Sequence, residues 1–342
     1  MWTTLIAVAP VVLFLLALAR LDTFQLVRPS WIAAAVAAGA AAAGVSLAVN
    51  EWFLTARHVP VLVVSGALAP ILEEILKSLP IVVLVLTGRI AFLVDAAIDG
   101  FAVGTGFALV ENLWYLHSLG SASLMLWIVR GFGTAMLQGA TTTMFAVIAR
   151  TLADRAPGRA AMIVAPGLIV AILIHAAFNI RVLPPAAEML VILGVLPILV
   201  IVVFDRSERA TREWIGAGLD LDIELLGLIT SDAFSVTRFG RYLQELRARV
   251  PGPQVVDMMC LLRVELEIAI QAKALLIARN AGLELAPGPD LDAALDERRA
   301  LQASIGRAGL LALRPLQITS HRDAWHRQLL SSGSRSHRAS DQ

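Results

Sequence analysis

Ile71-Leu72-Glu73-Glu74-Ile75-Leu76-Lys77-Ser78-Leu79-Pro80 lies inside an apolar run from about Val61 to Thr87. Three ionisable side chains in such a run cost about 2.5–3.5 kcal/mol each at the centre of a spanning helix, so a chain that keeps them there uses them. Glu73 and Lys77 are four residues apart, with the acid N-terminal to the base, the better order on a helix. Glu74 stands about 100° round the helix from Glu73 yet is three residues from Lys77. Lys77 therefore neutralises one carboxylate while the other points elsewhere. The competing reading is an internally paired charge cluster that only joins helices.

The rest of the chain has the same character. Of 342 residues, 58% are hydrophobic and 16% charged, against about 25% charged in a soluble domain. Apolar runs of about 20 residues recur through the first 205, which gives an all-α fold: a polytopic helical bundle with the lipid bilayer as its solvent. About seven spans are read, at roughly 3–19, 31–49, 61–87, 96–116, 122–149, 160–181 and 186–204. The third is too long for one straight span. Gly66 and Pro70 predict a break or kink, with an interfacial piece before Glu73. The first run ends Ala17-Leu18-Ala19, which mimics a signal-peptide cleavage site, but no basic region precedes it and it reads as a span. The net charge of +1 and the lack of a basic aromatic stripe give no nucleic-acid partner. The single cysteine, Cys260, allows no intrachain disulfide and no CxxC site.

Loop arginines set the orientation. With the N-terminus outside, the inner face holds Arg20, Arg28, Arg89, Arg150, Arg155, Arg159, Arg206, Arg209 and Arg212, and the outer face only Arg57 and Arg181. That asymmetry follows the positive-inside rule and places the C-terminal region in the cytoplasm.

Polar residues recur on later spans. The fourth carries Asp99 near its inner end, where it reads as interfacial, then the small-xxx-small pair Gly100 and Gly104, then Phe107 and Glu111 on one face. The fifth carries Arg130 and Gln138, and the sixth His175 and Asn179, four apart. Each must be satisfied away from lipid. A shared hydrated cavity in the outer half of the membrane is the economical solution, and carboxylates with a histidine in such a cavity activate water. The catalytic candidates are Glu73, Glu74, Glu111, His175 and Asn179, supported by Lys77, Gln138 and Arg130.

This constellation resembles the PrsW family of intramembrane proteases, bacterial relatives of the CAAX prenyl-protease and bacteriocin-processing group. The motifs are Glu73-Glu74-x-x-Lys77, Phe107-x-x-x-Glu111-Asn112 behind Asp99-Gly100, and His175-x-x-x-Asn179. The resemblance covers about the first 205 residues. It implies a Glu general base on water, Lys77 paired with the other Glu, and an oxyanion hole from His175 and Asn179. It also implies cleavage of a single-span membrane protein, an anti-sigma factor being the family's type of substrate, near the outer face. Where members carry a further histidine, Gln138 stands in this chain; glutamine is a poor metal ligand. No cofactor is therefore expected. The alternative is zinc on Glu73, Glu111 and His175, and an inactive homologue acting as membrane scaffold or regulator also stays open. A proton- or cation-coupled transporter is a third reading, but no inverted hydropathy repeat supports it.

The chain divides into a transmembrane protease-like domain, 1–205, a cytoplasmic helical domain, 206–332, and a disordered Ser/Arg-rich tail, 333–342. In the second, Asp220 and Asp222 predict the start of a helix running toward Arg249. Val255, Met259, Leu262, Leu266 and Ile270 predict the buried face of the next, and Asp290 opens a third through about Leu313. His321 and His326 read as surface residues. No motif for chemistry appears there, and the bundle suits packing on itself or on a cytoplasmic partner.

Overall fold

The computed structural model describes residues 2–21, 27, 29–119, 122–155, 159–248, 250–281, 283 and 289–313. Among them the chain is helical, without a strand. It forms two compact units, Met1–Glu208 and Arg209–Gln342.

The first unit contains a helical rod at each expected span. They are α1 (Trp2–Leu21); α2 (Pro29–Thr55); a rod of α3 (Val61–Val63), a π-helical segment Val64–Leu68 and α4 (Ala69–Leu86); α5 (Leu93–Ser118); a rod of α6 (Leu124–Val129), a second π segment Arg130–Thr134 and α7 (Ala135–Arg155); α8 (Ala160–Asn179); and the start of α9 (Pro185–Ile229). Six are long and apolar enough to cross a membrane. The third rod is not among the six; it carries Glu73, Glu74 and Lys77, all buried. Two aromatic–arginine pairs mark the ends of α2: Arg89 lies 4.4 Å over the Trp31 ring and Arg57 lies 5.5 Å over Trp52. These tryptophans are about 32 Å apart along a helix, close to the thickness of a hydrocarbon core of about 30 Å.

The centre of the unit is α5, buried all round from Val94 to Ala108. Small and apolar residues make up most of it, and its glycines let neighbouring backbones touch it. A Cβ on Gly106 would lie 1.9 Å from the carbonyl oxygen of Val36 in α2, and one on Gly104 would lie 2.3 Å from that of Gln138 in α7. Asp99 follows α5 inward. It is 8% exposed, because this stretch of α5 has no face turned outward.

Where a break or kink is expected at Gly66 and Pro70, the helix makes a widened turn. The N–H of Ala69 reaches back five residues to the Val64 carbonyl, and the helix runs on. Pro70 has no N–H to give, so the π register absorbs it without interrupting the rod.

The second unit contains the later part of α9, a 3-10 turn Asp232–Val236, α10 (Arg238–Leu246), α11 (Gly252–Asn280) and α12 (Pro289–Leu313). No helix begins at Asp220. α9 runs through it to Ile229, and Asp222 is held inside by Lys273 at 2.7 Å. Met259 is 36% exposed, while Met258 is fully buried with Leu261, Leu262 and Leu266. Val255, Leu262 and Leu266 are buried as the sequence predicts and Ile270 is half-buried; Met258 takes the place expected of Met259, because both are apolar and adjacent. The third segment, α12, spans Pro289–Leu313 as read, but it is broken at Gly306, whose φ of 66° and ψ of 179° are not helical. His321, His326 and the tail 333–342 lie outside the described residues.

Candidate active site

The acid pair sits on α4 just past the first π segment, and its two members have different surroundings. Oε1 of Glu74 accepts from Lys77 Nζ at 2.7 Å and from Thr141 Oγ1 at 3.1 Å. His175 Nδ1 lies 2.7 Å from the same oxygen. A carboxylate salt-bridged to lysine has no proton to offer, so Nδ1 carries the hydrogen and Nε2 faces the other way. There it meets Glu73 Oε2, at 3.7 Å. Glu74, Lys77 and His175 are each no more than 2% exposed.

Lys77 also donates to Gln138 Oε1 and stands 5.1 Å over the ring of Phe107. Lysine only donates, so Gln138 must turn its oxygen to Lys77 and its amide nitrogen away. That nitrogen donates to Glu73 Oε2 at 3.2 Å and to Glu111 Oε2 at 3.1 Å. The other oxygen of Glu111 accepts from Arg130 Nη2 at 3.1 Å. Glu74 thus has Lys77 as its cation and Glu111 has Arg130. Among the described residues, Glu73 has neither a lysine nor an arginine at ion-pair distance, only the amide of Gln138 and Nε2 of His175.

The fold brings Glu73, Glu74, Lys77, Glu111, Arg130, Gln138 and His175 into one cluster, contributed by α4, α5, the second π segment, α7 and α8. Glu111 stands seven residues from the end of α5, and His175 four from the end of α8. Both ends are on the Arg57 side by alternation of the rods.

Asn179 is placed differently. Its amide donates to the Ser65 carbonyl at 2.9 Å. That carbonyl is orphaned by local geometry: the N–H four residues on, Ala69, goes to Val64, and the residue five on is Pro70. The histidine–asparagine spacing therefore serves two tasks, with His175 in the cluster and Asn179 bracing the π segment that leads into it.

Sequence reading missed Thr141 and Asn112 as members of the network. Thr141 is one turn beyond Gln138 and shares its face. Asn112 follows Glu111 but turns to Arg130, whose Nε donates to Asn112 Oδ1 at 3.0 Å.

Glu73, Glu111 and His175 are ligand types for zinc. Among the described residues, however, no three His, Cys, Asp or Glu side chains take up an arrangement that holds a metal. The cause is visible: the donor amide of Gln138 occupies the space between Glu73 and Glu111, and Lys77 keeps it from turning its oxygen there. The donor set in this arrangement does not fit a metal.

A family model described as the PrsW family intramembrane metalloprotease matches residues 27–204, just over half of the chain. No curated protein and no solved structure matches it. The matched segment holds every residue of the cluster around Glu73, and the chain accordingly belongs to the PrsW family, as a multi-pass intramembrane protease that acts on membrane proteins within the bilayer.

Proposed function

We propose that Glu73 is the general base of an intramembrane endopeptidase and that Glu74, Lys77 and Gln138 hold it and His175 in register. The observation that carries this reading is the asymmetry of the acid pair: Glu74 is ion-paired with Lys77 at 2.7 Å, whereas Glu73 faces His175 Nε2 at 3.7 Å with no lysine or arginine of its own. A water seated against both Glu73 Oε2 and His175 Nε2 lies within reach of the base. Glu73 takes its proton as the oxygen bonds to the scissile carbonyl carbon. His175 donates to the oxyanion only when Nε2 carries a proton as well as the Nδ1 that Glu74 holds. As the C–N bond breaks, Glu73 returns the proton to the leaving amine. Asn179 shapes the approach through Ser65 and is not needed as an oxyanion donor. The family name includes a metal, but the arrangement of Gln138 supplies no step that runs through one.

The substrate class that suits this site is a single-span membrane protein, of which an anti-sigma factor is one example, cut toward the Arg57 side. The arginine asymmetry supports an outer N-terminus and a cytoplasmic C-terminal region. A reporter fused after Arg212 that works only inside the cell is the expected outcome, and one that works only outside refutes this orientation.

The test of the chemistry is cleavage of a candidate single-span protein in liposomes. Glu73→Gln is expected to abolish cleavage, because an amide cannot accept the water's proton. Retained turnover in Glu73→Gln would remove Glu73 from the role of base.

A further inference from the structure

Helix α1 lies outside the matched segment 27–204, yet its backbone reaches the site network. Asn112, 1% exposed, donates to the carbonyl of Ala7 at 2.7 Å. Its own oxygen accepts from Arg130 Nε at 3.0 Å, and Arg130 Nη2 pairs with Glu111 at 3.1 Å. Arginine only donates, so the amide of Asn112 has one usable orientation: oxygen to Arg130, nitrogen to Ala7.

A second contact is independent of the first. α1 contains Pro10, which has no N–H for the carbonyl four residues back and whose ring pushes that carbonyl aside. That carbonyl belongs to Ile6, and it lies against Gly131, where an ideal Cβ would be only 2.1 Å from its oxygen. Gly131 directly follows Arg130 in the second π segment. Glycine here allows a backbone approach that no side chain permits, with room only for a Cα–H···O contact. The guanidinium of Arg130 is also held 3.7 Å over the Tyr115 ring.

We infer that α1 is a positioning element of the proteolytic site: the Ile6 and Ala7 carbonyls fix Gly131 and Asn112, which together aim Arg130 at Glu111. Glu111 in turn shares the amide of Gln138 with Glu73, so the restraint ends at the base. Asn112 and Gly131 are positioning residues and touch no reacting atom. The inference rests on the reading of this cluster as the active site, but its test is separable.

The experiment compares the full-length protein with Asn112→Leu, Gly131→Ala and Gly44→Ala; a Cβ at Gly44 meets nothing within 4 Å. Two readouts are taken: kcat and KM on the single-span substrate, and amide hydrogen exchange of residues 124–136. In Asn112→Leu and Gly131→Ala, kcat is expected to fall about 10–100-fold with KM within about twofold, as for misplacement of a catalytic group. Exchange in 124–136 is expected to rise about tenfold, with the wild-type rate in Gly44→Ala. If Gly131→Ala does not fold, Asn112→Leu alone decides. Wild-type exchange in Asn112→Leu overturns the inference, even where cleavage falls. Faster exchange in Gly44→Ala to the same extent also overturns it, since that reports general loosening. Faster exchange confined to the α1 contacts, in a protein that cleaves nothing, upholds the α1 restraint and removes the proteolytic reading instead.

Discussion

The ammonium group of Lys77 holds the side-chain oxygen of Gln138, and that one contact decides which way the amide points. With its oxygen captured, Gln138 presents hydrogen-bond donors to Glu73 and Glu111, where a metal site would need an acceptor. Purified protein is therefore expected to carry substoichiometric zinc by plasma mass spectrometry and to cleave equally well with a chelator. Gln138→His is expected to leave zinc low and change turnover only modestly, because Lys77 remains beside the new ring. Stoichiometric zinc that disappears in His175→Ala would contradict this and leave the protease assignment intact.

Lys77 and Glu74 form an ion pair at 2.7 Å with neither side chain more than 1% exposed. Removing one partner strands the other charge, at a cost of about 3–5 kcal/mol. Lys77→Met is thus expected to lower the unfolding temperature in detergent sharply. Adding Glu74→Gln to it should recover most of that loss without recovering activity, since His175 then loses its charged anchor. Equal melting of the single and double variants counts against a buried, coupled pair.

Asn179 and Pro70 make a prediction in which one change repairs another. Asn179→Ala removes the donor that Asn179 gives to the exposed Ser65 carbonyl, a cost of about 0.5–1.5 kcal/mol. Pro70→Ala supplies an N–H five residues from Ser65, in the register the π segment already uses. The double variant should regain both stability and turnover. If Asn179 were an oxyanion donor, restoring a backbone hydrogen bond could not restore kcat, so rescue of melting without rescue of kcat would return Asn179 to the catalytic set.

Gly106 lets α2 and α5 touch through their backbones, with a would-be Cβ 1.9 Å from Val36 O, whereas Gly44 faces open space. Gly106→Ala is expected to cost about 1–3 kcal/mol through overpacking and Gly44→Ala close to nothing. Thermal unfolding of the two variants side by side checks this, and similar melting would show that the crossing yields easily.

Much of the architecture was legible because the bilayer imposes one strong rule. A chain in lipid must satisfy its backbone internally, so apolar runs of spanning length become helices. That rule gave α1, α2, α5, α8 and the rest their places. Inside α11 it could not choose between Met258 and Met259, which are both apolar and which only packing tells apart. Nor could it foresee that α5 would be enclosed on every side and take Asp99 in with it.

Residue type and spacing were enough to say which side chains had to find partners: Glu73, Glu74, Lys77, Glu111, Arg130, Gln138 and His175 are too costly in lipid to stay apart, and helical spacing put them on shared faces. Who pairs with whom was settled in three dimensions. Glu74 and not Glu73 received Lys77, because α7 brings Gln138 and Thr141, and α8 brings His175, to that side of α4. Asn179 left the cluster for Ser65 because Pro70 and the π turn had orphaned a carbonyl there. Spacing along one helix fixes a face. The partner opposite that face depends on how the helices cross, and in this protein the crossings depend on where glycine lets two backbones meet.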